Sequence, residues 1–418
     1  MKGTIALGGF ALGKNNIAKE TALPEGSLRD AINVDIDNAG KARLRRGYQQ
    51  IYTGTNIHSL FKRYFIEDTN LMYLNADNTA SLVKADFSSS QVAYAEMMDN
   101  IICTNSIGNW VITPHGVSRI GIKDPSSAAI LLTTNGSLPV GQYQVSMQFI
   151  DTNTGEFSAA SDIQVIELAT PSGLRITNIP QPENADISVQ IYVSLANGTA
   201  LYRTLTVPYG TMSANITTVL DSDIALENAD QKILPHGDFI AYNYGRTYVA
   251  QGKLLWYSEP MWYGQTNITR NFWQFASDIT VLLALKNGIF VVADKTYFLS
   301  GTKPEDSQLN EVSSATGIKG TGLIVNAENL TSPSSEKGEV AYWFSDRGAV
   351  IGSPNGSILF ASEDRLSVPS ANKGNSMYTE SNGIRQMITT LHTTGGMNSK
   401  IGATDSASIK ILRNGVWI

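Results

Sequence analysis

Six Asn-Gly pairs, beginning at Asn135, Asn197, Asn287, Asn355, Asn382 and Asn414, punctuate this chain, and most lie between short runs rich in Val, Ile, Tyr and Phe. A two-residue type I′ hairpin needs positive φ at both central positions, which Asn and Gly tolerate best, so each pair predicts a hairpin. No long stretch carries a 3.6-residue apolar period, and the fold class that follows is all-β. One segment reads as helical. Ser27, Leu28, Arg29 and Asp30 have capping-box spacing, with Leu28, Ala31 and Ile32 on one face of a turn or two that ends near Asn33.

Four strands are expected at 57–66, 71–74, 91–104 and 110–120, and the same texture of short strands and polar turns resumes after residue 234. Between these regions the pattern changes. Tyr143, Val145, Met147 and Phe149 alternate with Gln142, Gln144, Ser146 and Gln148, which predicts a strand with one buried and one wet face. Residues 124–229 have the length of one immunoglobulin- or fibronectin-type sandwich, about 100 residues. The flanking stretches, 57–123 and 230–418, hold enough chain for a β-propeller of five or six blades at about 40–50 residues each. Residues 1–56 form an N-terminal anchoring segment. Inserting a sandwich between two blades costs little, because loop-closure entropy grows slowly with length. Pairing of a strand near 407–413 with an N-terminal partner would close the ring and hide its edges.

Composition narrows the function classes. A charged fraction of 16% beside 42% hydrophobic residues excludes a disordered, highly charged tail, and the net charge of −6 argues against a surface built to wrap nucleic acid. Cys103 is the only cysteine, so no internal disulfide and no Cys-based zinc site forms, which suits synthesis in a reducing cytoplasm. The apolar start, residues 4–12, is short, glycine-containing and without a small-x-small cleavage site, so it is not read as a signal peptide. The longest apolar region, 279–293, is split by Lys286, Asn287 and Gly288, and no segment has the roughly 18 uninterrupted apolar residues of a membrane span.

Signals for chemistry are sparse. His58, His115, His236 and His392 show no ligand spacing, and residues 33–37 resemble a calcium loop only superficially, with Leu44 where the bidentate Glu belongs. Phosphate-loop glycine spacing and G-x-S-x-G are absent. A propeller glycosidase would draw its paired carboxylates from separate blades and leave no local motif. No catalytic residue, metal ligand or cofactor is therefore assigned. Aromatic pairs at Trp256-Tyr257, Trp262-Tyr263 and Phe272-Trp273 fit core packing, subunit contact or a sugar platform. The one basic run, Lys41, Arg43, Arg45 and Arg46, alternates so that three cations share a strand face, and these four are the candidate subunit-contact or phosphate-contact residues.

The N-terminal text carries a resemblance. Residues 23–35, Leu-Pro-Glu-Gly-Ser-Leu-Arg-Asp-Ala-Ile-Asn-Val-Asp, followed by Gly40 and by Arg45, Arg46, Gly47 and Tyr48, resemble the opening of bacteriophage virion β-propellers: tail nozzle or hub proteins and packaged-DNA stabilisation proteins of short-tailed phages. Residues 245–250, 257–260 and 288–301 extend the similarity, with Gly47 and Gly301 placed at turns. The resemblance implies a non-enzymatic virion subunit, made in the host bacterial cytoplasm. It further implies a ring, usually of six copies, below the portal and adaptor proteins, which attaches tail fibres or spikes and continues the double-stranded DNA channel. A modestly acidic wall past which DNA moves without sticking agrees with the net charge, although no lumen-facing residue is identified. The alternative expectations are a receptor-binding or fibre-attachment protein and, in the enzyme class, the glycosidase.

Overall fold

The computed structural model describes residues 9–10, 12–30, 34–36, 40–44, 49–125, 129–153, 155–218, 224–227, 230–330, 337–381, 384–393 and 407–411. Every regular element among them is a strand, apart from short 3-10 turns at Glu20–Ala22, Pro304–Asp306 and Ala327–Asn329. The expected helix is not formed by the described residues. Strand β1 (Gly13–Lys14) instead pairs in parallel with β2 (Ser27–Leu28), and β3 (Val34–Ile36) pairs antiparallel with β4 (Ala42–Leu44). A helix of one or two turns is marginal alone, and here the Leu12 and Asn15 N–H groups donate to the Gly26 and Leu28 carbonyls, giving the segment backbone partners of another kind. Residues 31–33, where the helix was to end, lie outside the described residues.

Residues 58–119 make eight strands where four were expected. The first sheet holds β5 (His58–Phe61), β6 (Tyr64–Glu67), β7 (Asn70–Leu74) and β8 (Ala80–Lys84), and the second β9 (Ala93–Met97), β10 (Asn100–Asn105), β11 (Gly108–Thr113) and β12 (Gly116–Arg119). Three of the expected strands were hairpins, folded at Lys62-Arg63, Met98-Asp99 and Pro114-His115. Lys62 and Met98 hold φ of 54° and 52° at the first turn position, where glycine is the usual occupant.

The middle of the chain builds two antiparallel sheets around one core. Strands β13 (Ile130–Leu138), β17 (Ser172–Thr177) and β20 (Ser213–Ile216) form one, in the order β13-β17-β20. The other runs β15 (Phe157–Ala160), β14 (Gly141–Asp151), β18 (Ile187–Ser194), β19 (Leu201–Val207), with β16 (Gln164–Leu168) also paired to β14. Tyr143, Val145, Met147 and Phe149 enter the shared core as their alternation predicts. The wet face does not follow: Ser146 and Gln148 are buried too, with Gln148 Nε2 donating to the Ser158 carbonyl and Tyr192 Oη donating to Gln148 Oε1. Their hydrogen bonds offset the cost of burying polar groups, which is why periodicity alone could not register it.

Beyond a two-stranded link, β21 (Lys232–Ile233) with β25 (Gln265–Thr266), four sheets follow in chain order. They are β22 (Phe239–Asn243), β23 (Arg246–Gln251), β24 (Leu254–Tyr257), β26 (Phe272–Gln274); then β27 (Val281–Leu285), β28 (Gly288–Val292), β29 (Thr296–Ser300), β30 (Gln308–Ser313). Next come β31 (Leu323–Asn326), β32 (Glu339–Ser345), β33 (Gly348–Gly352), β34 (Ile358–Phe360), and finally β35 (Ala371–Ser381), β36 (Ile384–Thr393), β37 (Ala407–Ile411). Each sheet shares a core with the next. Leu282 faces the β22–β26 sheet while Val281 and Leu283 face β32, and Trp343 packs towards Phe290 while Tyr342 packs towards Met387 and Leu391. Burial on both faces explains why these strands read as unbroken apolar runs.

Of the Asn-Gly pairs, Asn197 (φ 59°) turns the β18–β19 hairpin, Asn287 lies in the β27–β28 turn, and Gly356 (φ 88°) lies between β33 and β34. Asn135-Gly136 departs from expectation by sitting inside β13 at an irregularity in its pairing with β17. There a Cβ on Gly136 would come within 2.5 Å of the Gly173 Cα, so the glycine permits close backbone approach rather than a turn. Residues 382–383 and 412–418 lie outside the described residues. The expected terminal closure also differs: β37 pairs with β36, and the N-terminal segment meets residues 365–367 through backbone and side chain, the Asn16 N–H donating to the Arg365 carbonyl (3.0 Å). Asn16 Nδ2 donates to the Ser367 carbonyl (3.2 Å) and Asn16 Oδ1 accepts from the Ser367 N–H (2.7 Å).

Candidate functional site

The basic run is only partly placed. Lys41 and Arg43 are exposed, Arg43 stands opposite Asp35 across the β3–β4 ladder, and Arg45 and Arg46 lie outside the described residues. The ladder thus sets a carboxylate beside the middle cation of the predicted stripe. Asp35, within the stretch that superficially resembles a calcium loop, sits in strand β3.

The aromatic pairs divide. Trp256 and Tyr257 on β24 meet Phe272 and Trp273 on β26 at ring-centroid distances of 5.2 and 4.8 Å, which is cross-strand packing. Trp262 and Tyr263 belong to a different setting. The β22–β23 hairpin turns at Tyr244-Gly245 with φ of 43° and 74°, so both central residues have the positive φ of a type I′ turn. The Met261 N–H donates to the Gly245 carbonyl (2.8 Å), the Tyr263 hydroxyl reaches Met261 Sδ (3.5 Å), and the Tyr263 and Tyr242 rings meet edge to face. Met97 and Tyr242 share one core between their sheets.

Two properties single out this cluster. Tyr244, Met261 and Trp262 are 50%, 65% and 40% exposed, a grouping of large apolar side chains in water. Moreover, Met98, Tyr244 and Met261 are the large apolar residues among the described non-glycine positions with positive φ, a conformation costly for such side chains. Strain of this kind persists only where surroundings enforce it. Beneath the cluster, buried Arg246 donates to the Ser258 carbonyl (2.8 Å), pairs with Glu305 (2.6 Å) and lies over the Tyr257 ring. Glu259 accepts from Asn271 Nδ2 (2.8 Å), while its N–H donates to the Gln265 carbonyl. These bonds fix the 258–265 loop from both sides. Sequence reading missed Met98, Tyr244 and Met261 because no composition rule flags a bulky residue in a glycine position. The available signal was Tyr-Gly between two strand-like runs.

Two carboxylates at the junction between the central sheets and their neighbours titrate above their ordinary range. Burial raises Asp124, against the opposing pull of Ile233 and Ala159 N–H groups, which donate to it at 3.2 Å, and of Lys232. Burial likewise raises Glu156, which accepts from the Gly121 N–H. Among the described residues no three His, Cys, Asp or Glu side chains are grouped to hold a metal, and no helix is long and apolar enough to cross a membrane.

Comparison with known proteins finds no matching family and no similar curated protein. Among solved structures, a chain from the crystal structure of BBS1N in complex with ARL6DN overlaps at 9% identity and a TM-score of 0.32, covering 82% of this chain and 90% of that one. Sqt1 of Saccharomyces cerevisiae overlaps at 10% identity and a TM-score of 0.23, covering 69% of this chain and 80% of its own. PorZ of Porphyromonas gingivalis, a bacterial surface component of the type-IX secretion system, overlaps at 11% identity and a TM-score of 0.22, covering 90% of this chain and 55% of its own. Overlaps this loose assign neither a family nor an activity.

Proposed function

We propose that this chain is a non-enzymatic structural subunit of a phage tail, a nozzle or hub that assembles into a ring of six copies with portal and adaptor proteins, retains packaged DNA and conducts it at ejection. In this reading the sheets at 57–123 and 230–418 are a β-propeller of five or six blades, and 124–229 is an inserted sandwich of the immunoglobulin or fibronectin type. Successive sheets that each share a core with the next in chain order support the propeller. The phage assignment rests on the sequence resemblance of residues 23–48, 245–260 and 288–301. The observation that carries assembly is the exposed Tyr244–Met261–Trp262 cluster, since Met, Tyr and Trp are the residue types enriched in buried protein contacts. Electron microscopy of the purified protein, alone and with the portal and adaptor of the same virion, is expected to show rings. Virions that lack this polypeptide yet retain and eject DNA would refute the reading.

Exposed Trp262 and Tyr244 favour a second reading, receptor binding, because aromatic faces stack on sugars. Binding of host glycan by the isolated protein, abolished by Trp262→Ala, would select it. The glycosidase reading gains nothing from Asp124 and Glu156, whose carboxylates are engaged by backbone N–H groups.

A further inference from the structure

We infer that Asn135-Gly136 is a self-modification site: of the described Asn-Gly pairs, it is the one at which the folded chain leaves the asparagine free to cyclise onto its neighbour, lose ammonia and become aspartate or isoaspartate. The inference goes beyond the assembly proposed above and does not depend on it. The reaction needs two groups at once. Deprotonated by hydroxide, the glycine backbone nitrogen attacks the asparagine Cγ. An N–Cγ bond forms, the Cγ–Nδ2 bond breaks, and the amide nitrogen leaves as ammonia. Water then opens the five-membered imide, giving aspartate when it cleaves the new N–Cγ bond and isoaspartate when it cleaves the original peptide bond. Glycine hinders this attack least because it has no Cβ.

Asparagines 135, 197, 287 and 355 are all exposed, so access of water does not separate them. Hydrogen bonding does. Asn197 Oδ1 accepts from the Gln142 N–H (3.0 Å), and the Gly198 N–H donates to the Leu195 carbonyl (2.9 Å). Asn355 Oδ1 accepts from the Ser357 N–H (2.9 Å), and the Gly356 N–H donates to the Ser353 carbonyl (3.0 Å). In both pairs the carboxamide and the attacking nitrogen are each tied down. Gly288 is buried, in register with Leu285 on one side and Ser300 on the other, so at Asn287 the glycine alone is held. At Asn135 neither group is. Its carboxamide has no hydrogen-bond partner among the described residues, and Thr134 and Leu138 face Gly173 and Ser172, so residues 135–137 bulge from the ladder with no β17 residue opposite them. The close approach of Gly173 excludes a side chain at position 136, and with it the steric brake on attack.

The folded full chain, kept in mildly alkaline buffer and mapped by peptide mass spectrometry at intervals, is expected to show the amide-to-acid mass gain first at Asn135. Opening one hydrogen bond of ordinary strength before attack slows it about fivefold, so Asn287 should convert about fivefold more slowly, and Asn197 and Asn355 about twentyfold more slowly. In concentrated urea the four rates are expected to converge, since every glycine nitrogen is then released. Asn135→Gln should leave its peptide unchanged over the same period without altering the circular dichroism, because a side chain longer by one methylene closes its ring slowly. Conversion at Asn197 or Asn355 as fast as at Asn135 in the folded chain overturns the inference. So does an order of rates that persists in urea, which would assign it to neighbouring sequence rather than to the fold. An Asn135 that stays intact when folded but converts in urea overturns it as well, and none of these outcomes bears on the assembly reading.

Discussion

Tyr244→Asn separates strain from function at the turn cluster. The substitution places the Asn-Gly pair that a type I′ turn prefers at a hairpin whose φ values, 43° and 74°, already have that form. A non-glycine residue in the left-handed region costs about 1–2 kcal/mol, of which Asn recovers most. Against this, Tyr244 is 50% exposed, so removing its ring forfeits about half of the roughly 2 kcal/mol that full burial of a large side chain contributes, about 1 kcal/mol. The terms nearly cancel, and thermal unfolding followed by circular dichroism is expected to shift by no more than about 4 °C. Docking behaves differently. An aromatic anchor at a protein contact contributes about 2 kcal/mol or more, so association measured by sedimentation should weaken roughly thirtyfold, while Tyr244→Phe retains it. A melting temperature lowered by more than about 8 °C would show that the ring is a structural support. Unchanged association would show that the cluster is not a contact surface.

Adjacent residues on β32 should respond unequally to loss of one polar group. Trp343 is fully buried and its Nε1 has no hydrogen-bond partner, so Trp343→Phe trades a roughly 1 kcal/mol cavity cost for relief of an unsatisfied donor and should leave the urea midpoint nearly unchanged. Tyr342→Phe removes the hydroxyl that meets Thr389 Oγ1 at 3.1 Å and should lower stability by about 1 kcal/mol in the same titration. Burial raises the Cys103 thiol, which should resist an aromatic disulfide reagent in the folded protein and react fully in denaturant. Asp124, raised by burial, binds its proton more readily folded than unfolded, so its contribution to stability is full below the ordinary carboxylate pKa and is lost as pH rises through its elevated value. The stability of the native protein relative to Asp124→Asn should therefore fall between acidic pH and neutrality, and a rising difference would contradict the assigned shift.

Sequence reading captured what periodicity encodes and missed what close packing permits. Tyr143, Val145, Met147 and Phe149 announced their core face because burial there is one-sided, while Ser146 and Gln148 were misjudged because a hydrogen-bonded buried polar residue looks like a wet one in one dimension. Three hairpins were read as single strands, two of them because Lys62 and Met98 occupy turn positions that composition reserves for glycine. The Ser27 capping signal was chemically sound, yet pairing with β1 prevailed over a helix too short to sustain itself. Trp262 and Tyr263 were noticed as aromatic text, but their distinction from Trp256 and Tyr257 depends on which strands meet, which no local pattern specifies.

The hydrogen bonds between Asn16 and Ser367 join positions 351 residues apart in the chain. At about 5–20 residues per second on a ribosome, the partner of Asn16 appears about 20–70 seconds after Asn16 itself. During that interval most sheets, each closed by neighbours nearby in sequence, can form in order of synthesis, while the leading segment has nowhere to dock. Its seating is thus a checkpoint for a finished chain: a polypeptide that stops short of residue 367 would carry its sheets but leave its first strands unfastened.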